Sequence, residues 1–287
     1  YSGSALNGIS IGHNTKIQED SDPTYYSGVA IGDYAQATGG LSFSIGNYAQ
    51  STKPSAMAIG TSTLSSGFNS LAMMRQAAAT GNFSTAIGTT AWANGTGSFA
   101  MGYSAQAKGD QSIAIGAAEP ITVAGSGNEP SASYNGDTNT VTEGARSLAF
   151  GTKARTSAAA SDSMAFGSNA TTGGSNAVAV GNSANASARD AFAFGNTTQA
   201  TGANAIAMGR KAQAVQTNSI AMGSHAKALE ANALAIGGTA EASKAGTMAI
   251  GTAAKASSNN STAIGNGAEA TGENSMALGA SAKISAN

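Results

Sequence analysis

Large apolar and small side chains alternate along this chain in one short phrase that recurs at nearly constant spacing. A typical copy is Ile220–Gly223, in which a bulky apolar residue, Ala and a second bulky residue precede a Gly. Seventeen glycines close such a phrase. With Met74 counted at the one position where Gly is missing, fourteen of the seventeen intervals are fourteen residues long. A period this short and regular predicts a solenoid, in which each coil buries apolar surface only against its neighbours.

Each repeat contains two short segments with the two-residue alternation of a β-strand. The first ends at the Gly, and the second follows it, as in Gly223–Ala228, where Ala alternates with polar residues. A polar turn such as Thr271–Asn274 then leads into the next repeat. One coil is therefore predicted to hold two strands and two tight turns, with successive coils paired in parallel about 4.8 Å apart. The predicted fold class is all-β, a parallel β-roll of fourteen-residue coils.

The first strand of each coil is apolar on both faces, which predicts self-association. Its large residues lie on one face and a row of alanines on the other, and a strand that is apolar on both faces must be covered on both. Because small side chains allow backbones to approach closely, we expect the small row to pack on other copies of the chain. The alternative is a monomeric solenoid that leaves this row exposed. The row includes Ala100, Ala114, Ala207, Ala221, Ala235, Ala249 and Ala277.

Composition excludes several classes of function. The 14 Lys and Arg nearly balance the 15 Asp and Glu, for a net charge of −1, so neither nucleic acid nor an anionic membrane surface is a predicted partner. The longest apolar runs are far shorter than the roughly 20 residues of a transmembrane helix. The chain has no Cys, which excludes a disulfide framework and thiol chemistry.

The phrase Asn-Ser-(Ile/Met)-Ala-(Met/Leu)-Gly, intact at Asn218–Gly223 and Asn274–Gly279, resembles the head repeat of the YadA-like trimeric autotransporter adhesins. In-register copies cover nearly the whole chain. The resemblance implies a left-handed parallel β-roll, assembled as a parallel homotrimer and exposed on the bacterial cell surface. It also implies a coiled-coil stalk and an outer-membrane anchor at the C-terminal side. We expect both to lie outside residues 1–287, which we interpret as a single head domain.

Within that family, the long insertion and the irregular repeats are most similar to the ubiquitous surface protein A type of adhesin. This similarity implies cell adhesion and virulence through binding of fibronectin and laminin. Other members with the same repeat bind collagen or cell-surface receptors, so the repeat alone does not determine which ligand is bound.

Two departures from the regular spacing are predicted to be insertions, at about 13–26 and 117–147. The second lies in the 35-residue interval from Gly116 to Gly151, which carries 21 residues more than a regular coil. Within it, the β-prone segments Ile121–Val123 and Thr140–Thr142 flank a stretch rich in Gly, Ser and Pro, with Asn135–Gly136 as a turn signal. We therefore expect a projecting hairpin or long loop. It could present an acidic face to a basic partner; alternatively, it is a tolerated surface insertion or braces a neighbouring subunit. Its acidic residues are Glu119, Glu129, Asp137 and Glu143, against Arg146.

The residue four positions after each Gly is expected to point outward from the second strand. In the last coils this position alternates in charge and predicts a ladder of Lys227, Glu241, Lys255, Glu269 and Lys283.

The same outward position earlier in the chain is apolar. It holds Leu64, Ala78 and Trp92, and Met74 with Arg75 replaces the regular Gly between them. These residues predict an exposed apolar patch that contacts a partner protein. The alternative is that Trp92 folds back over an irregularity at Met74. Tyr34 and Tyr48 occupy positions equivalent to each other in adjacent coils, and they predict either a smaller aromatic surface or a packing role.

Catalytic and metal-binding patterns are weak in this sequence. The two histidines, His13 and His225, lie many coils apart, and no aspartate recurs in each coil as a calcium ligand. No cofactor, metal or catalytic residue is predicted. Besides an adhesin head, the fold is compatible with a polysaccharide-active β-helical enzyme, or with a spacer that lifts another binding region from the cell. The enzyme would need clustered acids, which the sequence lacks.

Overall fold

The fold is a parallel β-solenoid, seen in a computed structural model that describes residues 8–17, 27–118, 120–122, 132–134 and 138–285. The chain divides into two compact units, Tyr1–Lys153 and Ala154–Asn287. In the described part of either unit, no helix has the length and apolar character needed to cross a membrane.

The first unit stacks three-residue first strands and two-residue second strands, and one antiparallel pair interrupts the stack. Its strands are β1 (Ile9–Ile11), β2 (Lys16–Ile17), β3 (Val29–Ile31), β4 (Gln36–Ala37), β5 (Phe43–Ile45), β6 (Gln50–Ser51), β7 (Met57–Ile59), β8 (Leu64–Ser65), β9 (Leu71–Met73), β10 (Ala78–Ala79), β11 (Thr85–Ile87), β12 (Trp92–Ala93), β13 (Phe99–Met101), β14 (Gln106–Ala107), β15 (Ile113–Ile115), β16 (Pro120–Thr122), β17 (Ala132–Tyr134), β18 (Val141–Thr142) and β19 (Leu148–Phe150).

The second unit repeats the same two strands per coil without a long insertion. Its strands are β20 (Arg155–Thr156), β21 (Met164–Phe166), β22 (Thr171–Thr172), β23 (Val178–Val180), β24 (Asn185–Ala186), β25 (Phe192–Phe194), β26 (Gln199–Ala200), β27 (Ile206–Met208), β28 (Gln213–Ala214), β29 (Ile220–Met222), β30 (Lys227–Ala228), β31 (Leu234–Ile236), β32 (Glu241–Ala242), β33 (Met248–Ile250), β34 (Lys255–Ala256), β35 (Thr262–Ile264), β36 (Glu269–Ala270), β37 (Met276–Leu278) and β38 (Lys283–Ile284).

Equivalent strands of successive coils pair in parallel and in register. In the second unit β29 pairs with β31, aligning Ala221 with Ala235, and β28 pairs with β30, aligning Gln213 with Lys227. The first unit has the same arrangement, with β13 paired to β15. The predicted fold class, an all-β parallel β-roll with fourteen-residue coils, is therefore confirmed.

Alanine fills the interior of each coil. In one coil of the second unit, three alanines are fully buried: Ala207 of the first strand, Ala212 just before the second strand and Ala214 within it. Where Ser replaces Ala, the hydroxyls pair inside the coil: Ser44 Oγ lies 2.7 Å from Ser51 Oγ. The two sheets of a coil are therefore joined by methyl contacts and a few internal hydrogen bonds.

This interior shows that the expected role of the small row was wrong. The row that includes Ala100 and Ala221 was predicted to pack on other copies, but it is already 0 % exposed within one chain. A coil of two short strands closed by two tight turns encloses room only for small side chains. The large residues of the first strands therefore point outward, where every one of them is partly or well exposed.

We call the residues at the first and third positions of the first strands the outer apolar rows, because all of them are apolar except Thr85 and Thr262. They form one strip on each unit. In the first unit they are Ile9, Ile11, Val29, Ile31, Phe43, Ile45, Met57, Ile59, Leu71, Met73, Thr85, Ile87, Phe99, Met101, Ile113, Ile115, Leu148 and Phe150. In the second they are Met164, Phe166, Val178, Val180, Phe192, Phe194, Ile206, Met208, Ile220, Met222, Leu234, Ile236, Met248, Ile250, Thr262, Ile264, Met276 and Leu278.

The Asn-Ser pair that precedes many first strands forms the second turn of the coil. Asn218 adopts φ 57°, a left-handed conformation that Asn tolerates better than most residues. Its Nδ2 donates to Asn232 Oδ1 at 3.2 Å, and it accepts an equivalent bond from Asn204, so the turns form an asparagine ladder. The Ser219 hydroxyl closes the turn by donating to the carbonyl of Gln216 at 2.5 Å.

The regular Gly is required by both backbone conformation and close approach. Gly223 has φ 134°, and a Cβ there would lie 2.5 Å from the carbonyl oxygen of Gly237 in the next coil. Met74 occupies the same position with φ 86°, and its amide still donates to the Ile59 carbonyl at 2.8 Å. The stack therefore continues through Met74, at a backbone angle that favours Gly.

The long insertion is narrower than the predicted 117–147. Ala118 still bonds to the Tyr103 carbonyl of the preceding coil, and Val141 pairs in register with Gln106. The additional residues are therefore 119–139. The expected hairpin strand over Thr140–Thr142 is wrong, because that segment is the second strand of the coil; β16 pairs antiparallel with β17 instead.

The first predicted insertion, 13–26, also begins too early. Lys16 pairs in register with Gln36, so residues 13–17 belong to a regular coil. The rest of that prediction falls on residues 18–26, which lie outside the described residues.

Candidate functional site

Leu64 and Trp92 point outward on the second sheet of the first unit, as predicted. Ala78 lies between them in the parallel register, and Trp92 is 43 % exposed. In the single chain, the indole of Trp92 is therefore accessible to a partner protein. Met74 and Arg75 lie in the intervening coil, on the turn that precedes Ala78, and Met74 is 50 % exposed. The four predicted patch residues thus occupy three consecutive coils but two different surfaces, the turn and the second sheet.

The acidic face predicted for the long insertion is only partly described. Glu119, Glu129 and Asp137 lie outside the residues whose side chains the structure describes. Glu143 does not belong to the insertion, because it follows β18 in the regular coil. There its Oε1 accepts a hydrogen bond from Lys108 Nζ at 3.2 Å, which neutralises it locally.

The charge ladder of the last coils has the predicted register. Lys227 pairs with Glu241, Glu241 with Lys255, and Glu269 with Lys283. Lys283 Nζ lies 3.0 Å from Glu269 Oε2, and this hydrogen bond, with the charges of Lys283 and Lys255, holds the pKa of Glu269 below its ordinary value. The lysines of the ladder are exposed and its glutamates are half-buried, so the ladder gives this face a mixed charge and little stability.

Tyr34 and Tyr48 form a stacked pair on the first turn. Their ring centroids are 4.9 Å apart with an interplanar angle of 1°, close to the spacing of adjacent coils. His13 meets Tyr34 edge-on at 5.5 Å. The predicted aromatic surface therefore exists, and Tyr48 at its end is 52 % exposed.

A second aromatic surface was missed by the sequence reasoning. Phe83 is 64 % exposed and has φ 57°, at the turn position that Asn69 and Asn218 occupy in other coils. Its neighbour Phe68 lies under Lys53, whose Nζ is 5.3 Å from the ring centroid. The signal that could have found Phe83 is a bulky residue at a position where the repeat otherwise uses Asn.

Deleting residues 119–139 should leave thermal stability nearly unchanged. The deletion joins Ala118 to Thr140 and restores the fourteen-residue interval, and long surface insertions are only weakly coupled to the stability of their domain. Circular dichroism melts of the deleted and parent chains measure the effect. A fall in melting temperature of more than about 8 °C would instead show that these residues brace the coils.

A family model described as YadA head domain repeat (2 copies) matches the chain repeatedly. The matched residues are 65–91, 79–105, 93–118, 143–170, 158–184, 173–198, 186–212, 200–226, 214–240, 228–254, 242–268 and 270–283. These matches extend over more than half of the chain and fall in both units. No curated protein sequence matches the chain.

Proposed function

Because the chain belongs to the YadA head domain repeat family, which implies an adhesin-type element of a trimeric autotransporter on the bacterial surface, we propose that it binds host extracellular-matrix proteins. Fibronectin and laminin are the proposed ligands, and binding attaches the bacterium to host cells. A stalk and an outer-membrane anchor beyond this head would hold it at the cell exterior.

The assembly of three copies that this proposal assumes is supported by the exposure of the outer apolar rows. Both units present large apolar side chains along one face of every coil, and contiguous apolar surface of this kind is typical of protein interfaces. We assign this face to contacts among three copies of the chain. The second sheets and the turns would then remain at the outside of the trimer, where a matrix protein can reach them.

Contacts with the matrix protein are proposed to lie where the repeat is broken. Regular coils offer the same shallow polar surface repeatedly, whereas Leu64, Met74, Arg75 and Trp92 add apolar bulk and a cation in three consecutive coils. The acidic residues Glu119, Glu129 and Asp137 of the insertion, with Glu143 beside it, form the second part of the proposed contact. Three copies would add these weak contacts by avidity on a fibrous, multivalent ligand.

Combining Trp92→Ala with deletion of residues 119–139 should weaken binding to immobilised fibronectin or laminin by about tenfold or more. Surface plasmon resonance on the purified head measures this loss. Gln199→Ala is the matched control, because Gln199 is exposed at the same outward position of a regular coil.

Unchanged binding by the double variant would move the contact to the regular coils. A parent head that binds neither matrix protein would favour the spacer function, in which this region only lifts another binding site from the cell surface.

A further inference from the structure

The stacked tyrosine column ends at Tyr48, whose outer ring face is turned towards the next coil. Tyr34 covers the other face at a centroid distance of 4.9 Å. The equivalent residue in the next coil is Ser62, which is exposed and too small to continue the stack. One aromatic ring face is therefore presented to solvent above a small residue.

The backbone around Ser62 has the same geometry as around the two tyrosines. Tyr34, Tyr48 and Ser62 have φ of 57°, 58° and 56°. The amide of Ser62 bonds to the Asn47 carbonyl at 2.8 Å, as the amide of Tyr48 bonds to the Asp33 carbonyl at 2.9 Å. A third ring placed at the level of Ser62 would consequently stack on Tyr48 as Tyr48 stacks on Tyr34.

We call the gap above the Tyr48 ring, at the level of Ser62, the step. The coil after Ser62 lies on its other side. Gln76 holds the equivalent position, two coil spacings or about 10 Å from the level of Tyr48. Thr61 precedes Ser62 in the chain, and Arg75 precedes Gln76. Met74, before Arg75, replaces the regular Gly of that coil. In the part of the chain that the structure describes, the side chains of Thr61, Ser62, Arg75 and Gln76 form no hydrogen bond or ion pair, and all are exposed. Hydroxyl, amide and guanidinium groups thus lie exposed on the first turns of the two coils that follow Tyr48.

We propose that this step binds an acidic sugar, a pyranose ring that carries a carboxylate. The C–H face of the pyranose would stack on Tyr48 at the level of Ser62. Its hydroxyls would bond to Thr61, Ser62 and Gln76, and its carboxylate would pair with the guanidinium of Arg75, which offers a planar set of donors suited to carboxylates. This site goes beyond the binding of matrix proteins and does not depend on it.

The surroundings favour a sugar over an apolar side chain of a partner protein. A phenyl or indole ring offers no hydrogen-bond acceptor to the hydroxyls and the guanidinium near the step. It would therefore remove water from these groups without compensation. A pyranose ring offers a hydroxyl on nearly every carbon to these groups. Arg75 adds the preference for an acid.

Titration of the purified chain with acidic and neutral sugars tests the proposal. Saturation-transfer NMR measures the binding of each sugar. The acidic probes are 3′-sialyllactose, with a terminal sialic acid, and the glucuronate disaccharide of hyaluronan. Lactose is the neutral control, and N-acetyltryptophanamide is the apolar aromatic control. Binding of either acidic probe supports the site and identifies its source as a sialylated glycan or a glycosaminoglycan. Three results would overturn it: lactose binds as tightly as both acidic probes, the tryptophan derivative is preferred, or neither acidic probe binds.

Ser62→Tyr is the sharpest variant, because it fills the step without removing any group of the chain. Its ring should continue the tyrosine stack and weaken binding of the acidic probe by about tenfold or more. Ser183→Tyr, at the same coil position with φ 54°, is the matched control and should bind like the parent. Should Ser62→Tyr not fold, Tyr48→Ala should show the same loss.

Arg75→Gln tests the charged part of the site. It should weaken the acidic probe by about tenfold and leave lactose unaffected. Arg210→Gln, at the equivalent position of a coil without tyrosines, should change neither. Parental affinity in Ser62→Tyr or in Tyr48→Ala, or equal effects of Arg75→Gln and Arg210→Gln, would overturn the assignment.

Discussion

Ala221→Glu should unfold the second unit. Ala221 is fully buried between the two sheets of its coil, where neighbouring interior positions are also alanine. The larger side chain cannot fit, and its carboxylate would be buried without a partner, at a cost of several kcal/mol. That cost is comparable to the whole stability of a typical domain, about 5–15 kcal/mol. Loss of the β-sheet circular dichroism signal measures the result.

Lys255→Glu is the control for this substitution. It introduces the same side chain on the outward face of the second sheet, between Glu241 and Glu269. Because these charges are exposed, the cost should be under about 1 kcal/mol. A stable, folded Ala221→Glu chain would show that the small row does not lie in a dry interior.

Met222→Glu combined with Ile236→Glu should dissociate the proposed trimer. These residues are adjacent in register on the outer apolar rows, which we assign to contacts between copies. Two carboxylates placed there would be desolvated on assembly in each of the three chains, without a partner in the rows around them. Sedimentation equilibrium at micromolar concentration should change from three copies to one.

The double charge reversal Lys227→Glu with Glu241→Lys is the matched control. It changes the second sheet in the same coils and keeps opposite charges adjacent in register at these two positions. It should leave the sedimentation behaviour of the parent unchanged. Dissociation by this control, with an intact trimer in the Met222 and Ile236 variant, would place the interface on the second sheet.

The coil and its register could be predicted from sequence because the Gly spacing fixes both. A fourteen-residue interval aligns Ala221 with Ala235, and it places Lys227 beside Glu241, without any knowledge of the interior. The outward direction of the second strand was equally predictable, because Ala and charged residues alternate there. In these parts, local pattern and global fold agree.

The direction of the first strand could not be predicted, because alternation shows which residues share a face but not which face lies inside. Both faces of Ile220–Met222 are apolar. The decisive quantity is the room inside a closed coil, which fits Ala221 but not the large residues on either side of it. The bounds of the long insertion failed for a related reason, since Thr140–Thr142 is β-prone both as a hairpin strand and as a coil strand.

The exposure of some candidate residues was predictable from sequence. Trp92 could be placed outward from its position in the coil, whereas an exposed surface and a packing role both remained open for Tyr48. The structure leaves both side chains exposed. The step at Ser62 required the parallel ring geometry of the tyrosines, which no residue pattern supplies. Phe83 lies on a turn, and the alternation that predicts outward side chains applies only to strand positions.

Cross-linking through single introduced cysteines tests the central claim most directly, that copies of this chain meet at the outer apolar rows. The chain has no native Cys, so each introduced thiol is unique. With a short bifunctional maleimide, Ile236→Cys should yield covalently linked copies at high efficiency, whereas Glu241→Cys, on the second sheet of the same coil, should yield almost none. Efficient linking through Glu241→Cys and none through Ile236→Cys would contradict the account.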